Sequence, residues 1–419
     1  MQFNINFSEG KKFAKKSGDN NAIHLEDKEG YNSLFGEKIC HGCLVLIKFL
    51  KRLNLENIIR NRNKYSFRIV FFKHFSYSKN IYVLKKKNLF LFYQSNQIIA
   101  EFEIKFSDKK FYKNSIKKKR TKINIKKEKK NNDLSLIIEK LTMFVGKIYP
   151  GKNSIIREIN INFNQSNNFN NEQIEIYSKK LDARFPIINN ELLFKNYYVN
   201  FQTLERPVFL PGSKKLNKIF QNKINNVTEN VLIIGASSGI GNELLNIFKL
   251  NKKIFIFASY FKNQILIKQK NIKPFKFDLK KDPKKLYKII NKFKKIKVYY
   301  CATPKINLDA KDINTCNLYK KFYLDFPLRL LSSYIGTKMQ FFYPSTTYID
   351  TVISNYSKIK KNAEIKLNMI NKKNIDISIL RIQEINTKQN LSIFKKKLPS
   401  FIELLNKDKD FQNKILFKN

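Results

Sequence analysis

The sequence predicts a multidomain chain: an α+β portion followed by an α/β portion built on a doubly wound parallel sheet. Three observations predict this. An apolar stretch at 40–53 precedes several strand-like runs, the same helix-then-strands order returns from Leu134, and from Val231 short apolar runs alternate with helical ones. At 419 residues the chain is long enough for two or three domains, and its 42% apolar content is ordinary for globular proteins.

Taken in order, residues 9–24 read as loop and short helix, and 40–53 as a buried helix, apolar on most faces. Strand-like runs follow at Ser66 to Phe72, Asn80 to Lys85, and Leu89 to Tyr93 continuing into Ile98 to Phe106. A dense basic stretch, including Ser115 to Lys122 and Lys126 to Asn132, reads as a solvated linker at 108–132. Leu134 to Phe144 predicts a second apolar helix. Strands are expected at Ser154 to Phe163, Gln173 to Lys180 and Glu191 to Phe201. This makes 1–107 and 133–207 two halves of one layout, and 208–228 a connector. From 229 to 419 strands and helices alternate, as in an open parallel sheet covered on both faces.

The formal net charge is +49, but it is spread along the chain. Lys, Asn, Ile and Phe are over-used throughout and Trp is absent, as AT-rich codon usage produces. Specific nucleic-acid binding is therefore not predicted, while a basic surface favours acidic partners. No apolar run reaches 18 residues, so no membrane span is expected. Four cysteines and no visible secretory signal point to the cytoplasm. Cys40-x-x-Cys43 has no second pair at ligand spacing, so no metal is expected.

Only three histidines occur, and two lie near the N-terminus: Gly18-Asp19-x-Asn21-x-x-His24, then Phe35-Gly36 and His41-Gly42-Cys43-Leu44. These segments resemble the signature of the MaoC-like (R)-specific enoyl-CoA hydratase family over roughly residues 1–107. The resemblance implies a hot-dog fold. The helix-then-strands repeat in 133–207 extends that to a double hot-dog whose second half lacks the motif. It also implies that Asp19 and His24 are the catalytic pair, that Asn21 positions the loop, and that the Gly42 N–H faces a thioester oxygen. The chemistry is coherent. Histidine can exchange protons near neutral pH, and a helix N-terminus offers N–H groups to an enolate. Ala22 stands where the family usually has proline.

Further on, the strand Val231-Leu232-Ile233-Ile234 runs into Gly235-Ala236-Ser237-Ser238-Gly239-Ile240-Gly241, and Tyr356-Ser357-Lys358-Ile359-Lys360 lies on an expected helix. Together they resemble the short-chain dehydrogenase/reductase (SDR) family over roughly 229–419, with its Rossmann fold. The resemblance places Gly235, Ser237, Ser238, Gly239, Ile240 and Gly241 at a dinucleotide pyrophosphate, and Asp278 near the adenine. Tyr356 becomes the proton donor, and Lys360 lowers the tyrosine pKa and holds the nicotinamide ribose. Ser345 or Thr346 holds the substrate oxygen. Ser259 and Lys262 follow the second strand with no acidic residue beside them, which favours NADP(H) over NAD(H). The sequence departs from the family in Cys301-Ala302-Thr303-Pro304, in the lack of an asparagine on the helix expected at 318–334, and in a short tail after Arg381.

The two resemblances together imply a bifunctional enzyme: NADP(H)-dependent 3-oxoacyl/3-hydroxyacyl oxidoreduction joined to hydration or dehydration of the 3-hydroxyacyl/enoyl pair. An acyl-CoA or acyl carrier protein thioester is the implied partner, and self-association is left open. Two alternatives remain: an SDR oxidoreductase with a non-catalytic acyl-binding or assembly domain, and a basic binding protein on an inactive Rossmann scaffold.

Overall fold

The computed structural model describes the chain except for residues 56–58, 60–62, 107–118, 125–132, 167, 170–171, 181–184, 213–214, 281–282, 307–312, 392–397 and 418–419. Most of the basic stretch at 108–132 thus lies outside the described residues. The chain divides into two compact units, the first Met1–Val208 and the second beginning at Phe209.

The first unit is a ten-stranded antiparallel sheet wrapped on two helices, and its two halves have the same topology. In the first half β1 (Gln2–Phe3) precedes the helix Gly42–Arg52 and β2 (Lys64–Phe71), β3 (Ile81–Lys86), β4 (Leu89–Gln94) and β5 (Gln97–Lys105). In the second, β6 (Lys119–Asn124) precedes the helix Asp133–Met143 and β7 (Ser154–Asn164), β8 (Gln173–Lys180), β9 (Ile187–Phe194) and β10 (Tyr197–Glu205). The strand order is β1-β3-β4-β5-β2-β7-β10-β9-β8-β6, which reads the same outward from its centre in both directions. At that centre β2 and β7 pair antiparallel, with Ile69 opposite Ile159.

One core serves both halves. Phe49 of the first helix packs edge-on against Phe90, Phe92 and Phe102, and Ile137, Ile138 and Leu141 of the second helix join the same cluster. Truncating a fully buried phenylalanine such as Phe49 costs about 3–5 kcal/mol.

The structure corrects three sequence expectations here. Leu89 to Phe106 is not one continued strand. The chain reverses at Ser95-Asn96, both at positive φ (52° and 61°), which suits a tight two-residue hairpin turn. Glu191 to Phe201 is likewise two strands, reversing at Lys195-Asn196 with Lys195 at φ 49°. Within the basic stretch, Lys119–Asn124 is a strand rather than linker, because β8 offers it a free edge to pair along.

The second unit is a six-stranded parallel sheet: β11 (Asn230–Ile234), β12 (Ile256–Tyr260), β13 (Ile272–Lys276), β14 (Lys295–Tyr300), β15 (Lys338–Thr346) and β16 (Ile375–Ile382), in the order β13-β12-β11-β14-β15-β16. That order, 3-2-1-4-5-6, defines a doubly wound sheet with its switch point between β11 and β14. The alternation of β11 shows both faces covered. Val231 and Ile233 join one core with Leu244 and Leu245, while Leu232 and Ile234 join another with Leu286 and Leu330. The connector expected at 208–228 contains the helix Lys218–Asn225, capped by Asn217 accepting from Phe220 N–H at 2.7 Å. The helix expected at 318–334 is split into Ile313–Lys320, a π-helical turn at Lys321–Asp325, and Phe326–Ser332. The Tyr300 and Tyr343 hydroxyls donate to the Phe322 and Tyr323 carbonyls of that turn at 2.6 and 2.8 Å. Among the described residues no helix is long and apolar enough to cross a membrane.

Candidate functional site

In the first unit, the loop after helix Phe7–Ser17, the start of helix Gly42–Arg52, the ends of β2 and β10 and the start of β7 enclose a cavity of about 380 Å3. Asp19, Asn21, His24, His41 and Gly42 all line it, with an apolar wall that includes Phe35, Phe71 and Phe75. Asp19, His24 and His41 each offer a ligand-type atom within 4.8 Å of the other two.

The hydrogen bonds fix the tautomers. His24 Nδ1 lies 3.0 Å from the Ile39 carbonyl, which can only accept, so Nδ1 carries the proton and Nε2 keeps a lone pair. His41 Nε2 donates to the Asp19 carbonyl at 3.2 Å, and His41 Nδ1 is buried without a hydrogen-bond partner among the described residues. Burial, and then the neighbouring His41, hold His24 well below the ordinary histidine value; burial also lowers His41, with Asp19 opposing it. Both rings are therefore neutral, and His24 Nε2 is equipped to accept a proton. The two rings stack with their planes inclined by 25°.

Asn21 caps the short helix Ala22–Leu25 and donates from Nδ2 to the Lys152 carbonyl at 2.9 Å. Ala22 is the first residue of that helix, where proline would fit equally well, so this departure from the family pattern leaves the geometry intact. The Asp19 carboxylate accepts from Thr142 Oγ1 at 2.7 Å and from Asn21 N–H at 3.3 Å. Gly42 is the first residue of its helix, whose N-cap His41 makes no side-chain capping bond; the Leu44 N–H is taken by the His41 carbonyl at 3.1 Å, which leaves the Gly42 and Cys43 N–H groups uncapped by a side chain at the cavity. Cys40 and Cys43 also line the cavity, but burial raises both thiols, Cys43 to about 12, which keeps them protonated.

In the second unit the glycine turn sits between β11 and the helix Gly239–Phe248, at the C-terminal edge of the sheet. Gly235 is at φ 87°, and a side chain there would lie 2.6 Å from Ala302 Cα. Gly239, at φ 56°, has open space where its Cβ would be, and the helix it opens has no side-chain cap. Ser237, Ser238 and Ile240 are half-buried around it, and Gly241 packs against the Gly235 carbonyl. The Ser259 hydroxyl accepts from Gly235 N–H at 3.0 Å and so pins the turn; Lys262, just after β12, is exposed. Asp278, half-buried beyond β13, accepts from Lys280 N–H at 2.9 Å.

Tyr356 and Lys360 lie one turn apart on helix Asn355–Asn368, both buried. Thr346 bonds to the Tyr356 hydroxyl, while Ser345 Oγ is buried with no partner among the described residues. Lys360 is held by groups of its own unit. Its Nζ donates to the Pro344 carbonyl at 2.6 Å and lies 4.3 Å from the ring centres of both Tyr323 and Tyr343. Burial lowers Lys360 to about 7 and raises Tyr356 above the ordinary tyrosine value, with Thr346 opposing the rise. Tyr319 and Tyr323 both lie edge-on to Tyr356.

Sequence reasoning missed His41 as a site residue, although its position in His-Gly at a helix start was the signal. It also missed Thr142 and Gly146, which lie in the half without a motif and carry no local signal.

The first unit is thus a two-fold-repeated α+β body with an Asp-His-His cavity, and the second a doubly wound α/β body with a glycine turn and a Tyr-Lys helix. No family model and no curated protein matches the chain. Solved structures do resemble parts of it. A short-chain dehydrogenase from Burkholderia cenocepacia in complex with NADP has a TM-score of 0.33 at 12% identity, over 43% of this chain and 82% of that one. A protein assigned as an oleoyl thioesterase from Lactobacillus plantarum has a TM-score of 0.31 at 8% identity, over 50% and 96%. A protein assigned as a short-chain oxidoreductase from Thermus thermophilus has a TM-score of 0.33 at 16% identity, over 42% and 92%.

Proposed function

We propose that the protein is a bifunctional acyl-thioester enzyme. Its first unit, a double hot-dog of the MaoC-like type, interconverts enoyl and 3-hydroxyacyl thioesters. Its second, an SDR-type domain, interconverts 3-hydroxyacyl and 3-oxoacyl thioesters with NADP(H). The observation that carries this reading is the convergence of Asp19, His24 and Gly42 on one mostly apolar cavity.

In the hydration direction, water sits between the Asp19 carboxylate and His24 Nε2. His24 takes a proton as the water oxygen bonds to the β-carbon, and the electron pair of the double bond moves toward the thioester oxygen. Donors at the Gly42 end of the helix stabilise that oxyanion. The His24 imidazolium then returns the proton to the α-carbon on the same face, which leaves the enzyme unchanged.

A dinucleotide fits the second unit on one observation: the open, uncapped helix start at Gly239. Gly235, Ser237, Ser238, Ile240 and Gly241 would hold its pyrophosphate, Asp278 its adenine side and Lys262 a 2′-phosphate. The bound dinucleotide supplies hydride chemistry. For the chain's own part, Tyr356 exchanges the proton of the substrate oxygen and Thr346 orients its hydroxyl. The unpartnered Ser345 hydroxyl is the better candidate to hold that oxygen.

Purified protein supplied with crotonyl-CoA and NADP⁺ tests the pairing of the two activities. Enoyl loss followed by NADPH formation supports it. Enoyl loss without NADPH formation, with 3-hydroxybutyryl-CoA also inert, leaves the hydratase alone. Oxidation of 3-hydroxybutyryl-CoA without enoyl turnover leaves an SDR enzyme with a non-catalytic first unit.

A further inference from the structure

The half of the first unit that lacks a catalytic motif grips the catalytic carboxylate of the other half. We propose that Thr142 is a positioning residue for Asp19, acting across the two halves. This rests on the hydratase reading of Asp19.

Thr142 lies in the last turn of helix Asp133–Met143, is buried at 4% exposure, and donates from Oγ1 to Asp19 Oδ2 at 2.7 Å. The helix continues into a π-helical turn, Phe144–Ile148, which brings Gly146 beneath the other carboxylate oxygen. A Cβ at Gly146 would lie 2.1 Å from Asp19 Oδ1, so the backbone there closes on the carboxylate more tightly than any side chain allows. The same loop is tied to this half a second time, by Asn21 Nδ2 on the Lys152 carbonyl at 2.9 Å. Asp19 and Thr142 are 123 residues apart in sequence. The carboxylate is thus held by the Thr142 hydroxyl beside the longer bond from Asn21 N–H, and in depth by one glycine, and a fixed carboxylate holds water at a defined angle to His24 Nε2.

A role in holding the carboxylate differs from a role in folding, and two variants separate them. Thr142→Val is close in shape but lacks the donor; Thr142→Ser keeps the donor and loses a methyl group. With crotonyl-CoA, Thr142→Val is expected to lower kcat about 10- to 100-fold at nearly unchanged KM, and Thr142→Ser to stay within about 3-fold of wild type. The second readout needs no activity. With three histidines in the chain, the ring nitrogens of His24 and His41 can be followed by NMR in histidine-labelled protein. Their shifts are expected to move in Thr142→Val, whose carboxylate is released, and to stay in place in Thr142→Ser. Shifts that are unmoved in Thr142→Val, or moved equally in both variants, overturn the proposal. Shifts that follow this pattern in a protein inactive on every enoyl thioester keep the positioning contact and discard the hydratase reading.

Discussion

The imidazole rings of His24 and His41 stack with their centroids 3.8 Å apart and their planes inclined by 25°. Two cations at that distance would repel strongly, so the pair resists protonation. His41 also anchors Asp19 through the bond from its Nε2 to the Asp19 carbonyl. Burial, with His41 adding to it, keeps His24 neutral, and the same His41 holds the Asp19 loop. The acid limb of kcat/KM for hydration should lie below the ordinary histidine value of about 6.5. Removing the neighbouring imidazole in His41→Asn should raise that limb and lower kcat. A pH–rate profile of both proteins checks this; a limb unmoved by the substitution contradicts it.

The same depression makes stability depend on pH. In the folded state His24 titrates below its unfolded value, so between those two values the unfolded chain binds more protons. The contribution is fully present above about pH 6.5 and is lost as pH falls through the folded value. Denaturant unfolding of the first unit should therefore show stability falling below that pH, less steeply in His24→Gln. An equal slope in the two proteins contradicts the assignment.

Gly146→Ala should be more harmful to activity than to folding. The added methyl group would lie 2.1 Å from Asp19 Oδ1 and must push the carboxylate aside. Hydration should fall by about 100-fold, with a stability loss of about 1–3 kcal/mol. Kinetics beside urea unfolding measure both.

Lys360 carries the opposite kind of information. Burial lowers it to about 7, against an ordinary value of 10.5. Between those values the unfolded chain binds the additional proton, so the second unit gains stability as pH rises from 7 toward 10.5. Lys360→Met removes that dependence. It should raise Tm more at pH 6 than at pH 10, and abolish nicotinamide-dependent turnover. A uniform change in Tm across that range contradicts the buried-amine account.

Much of this was legible locally. Asp19, Asn21 and His24 fall within six residues and Gly42 follows at an expected helix start, so the segments that carry the resemblance to the MaoC-like signature are short and local. The glycine turn after β11 and the Tyr356–Lys360 spacing were legible for the same reason. The hairpins at Ser95-Asn96 and Lys195-Asn196 were missed because serine and lysine rarely advertise positive φ. In β6, Ile123 is the one described buried side chain, so pairing with β8, not hydrophobic pattern, decides the strand. Thr142 and Gly146 reach the site through tertiary packing, and nothing near them in sequence marks it. For Lys360 the spacing fixes its place on the helix but not the Pro344 carbonyl and the two tyrosine faces around its amine.

At the opposite end of the β2–β7 pair from the cavity, Tyr65 stacks on Phe163 at 4.8 Å and its hydroxyl meets that of Tyr197 at 3.1 Å, all within the packed core. Among the described residues, aromatic rings thus pack at the end of the pair opposite the cavity.

The measurement that tests the central claim most directly is the loss of enoyl absorbance from crotonyl-CoA with wild type, His24→Ala and Asp19→Asn, extended to longer enoyl-CoA and enoyl carrier-protein substrates. The account predicts turnover by wild type and a loss of about 100-fold or more in each variant. Absence of turnover by wild type on every substrate, or equal turnover in all three proteins, would contradict it.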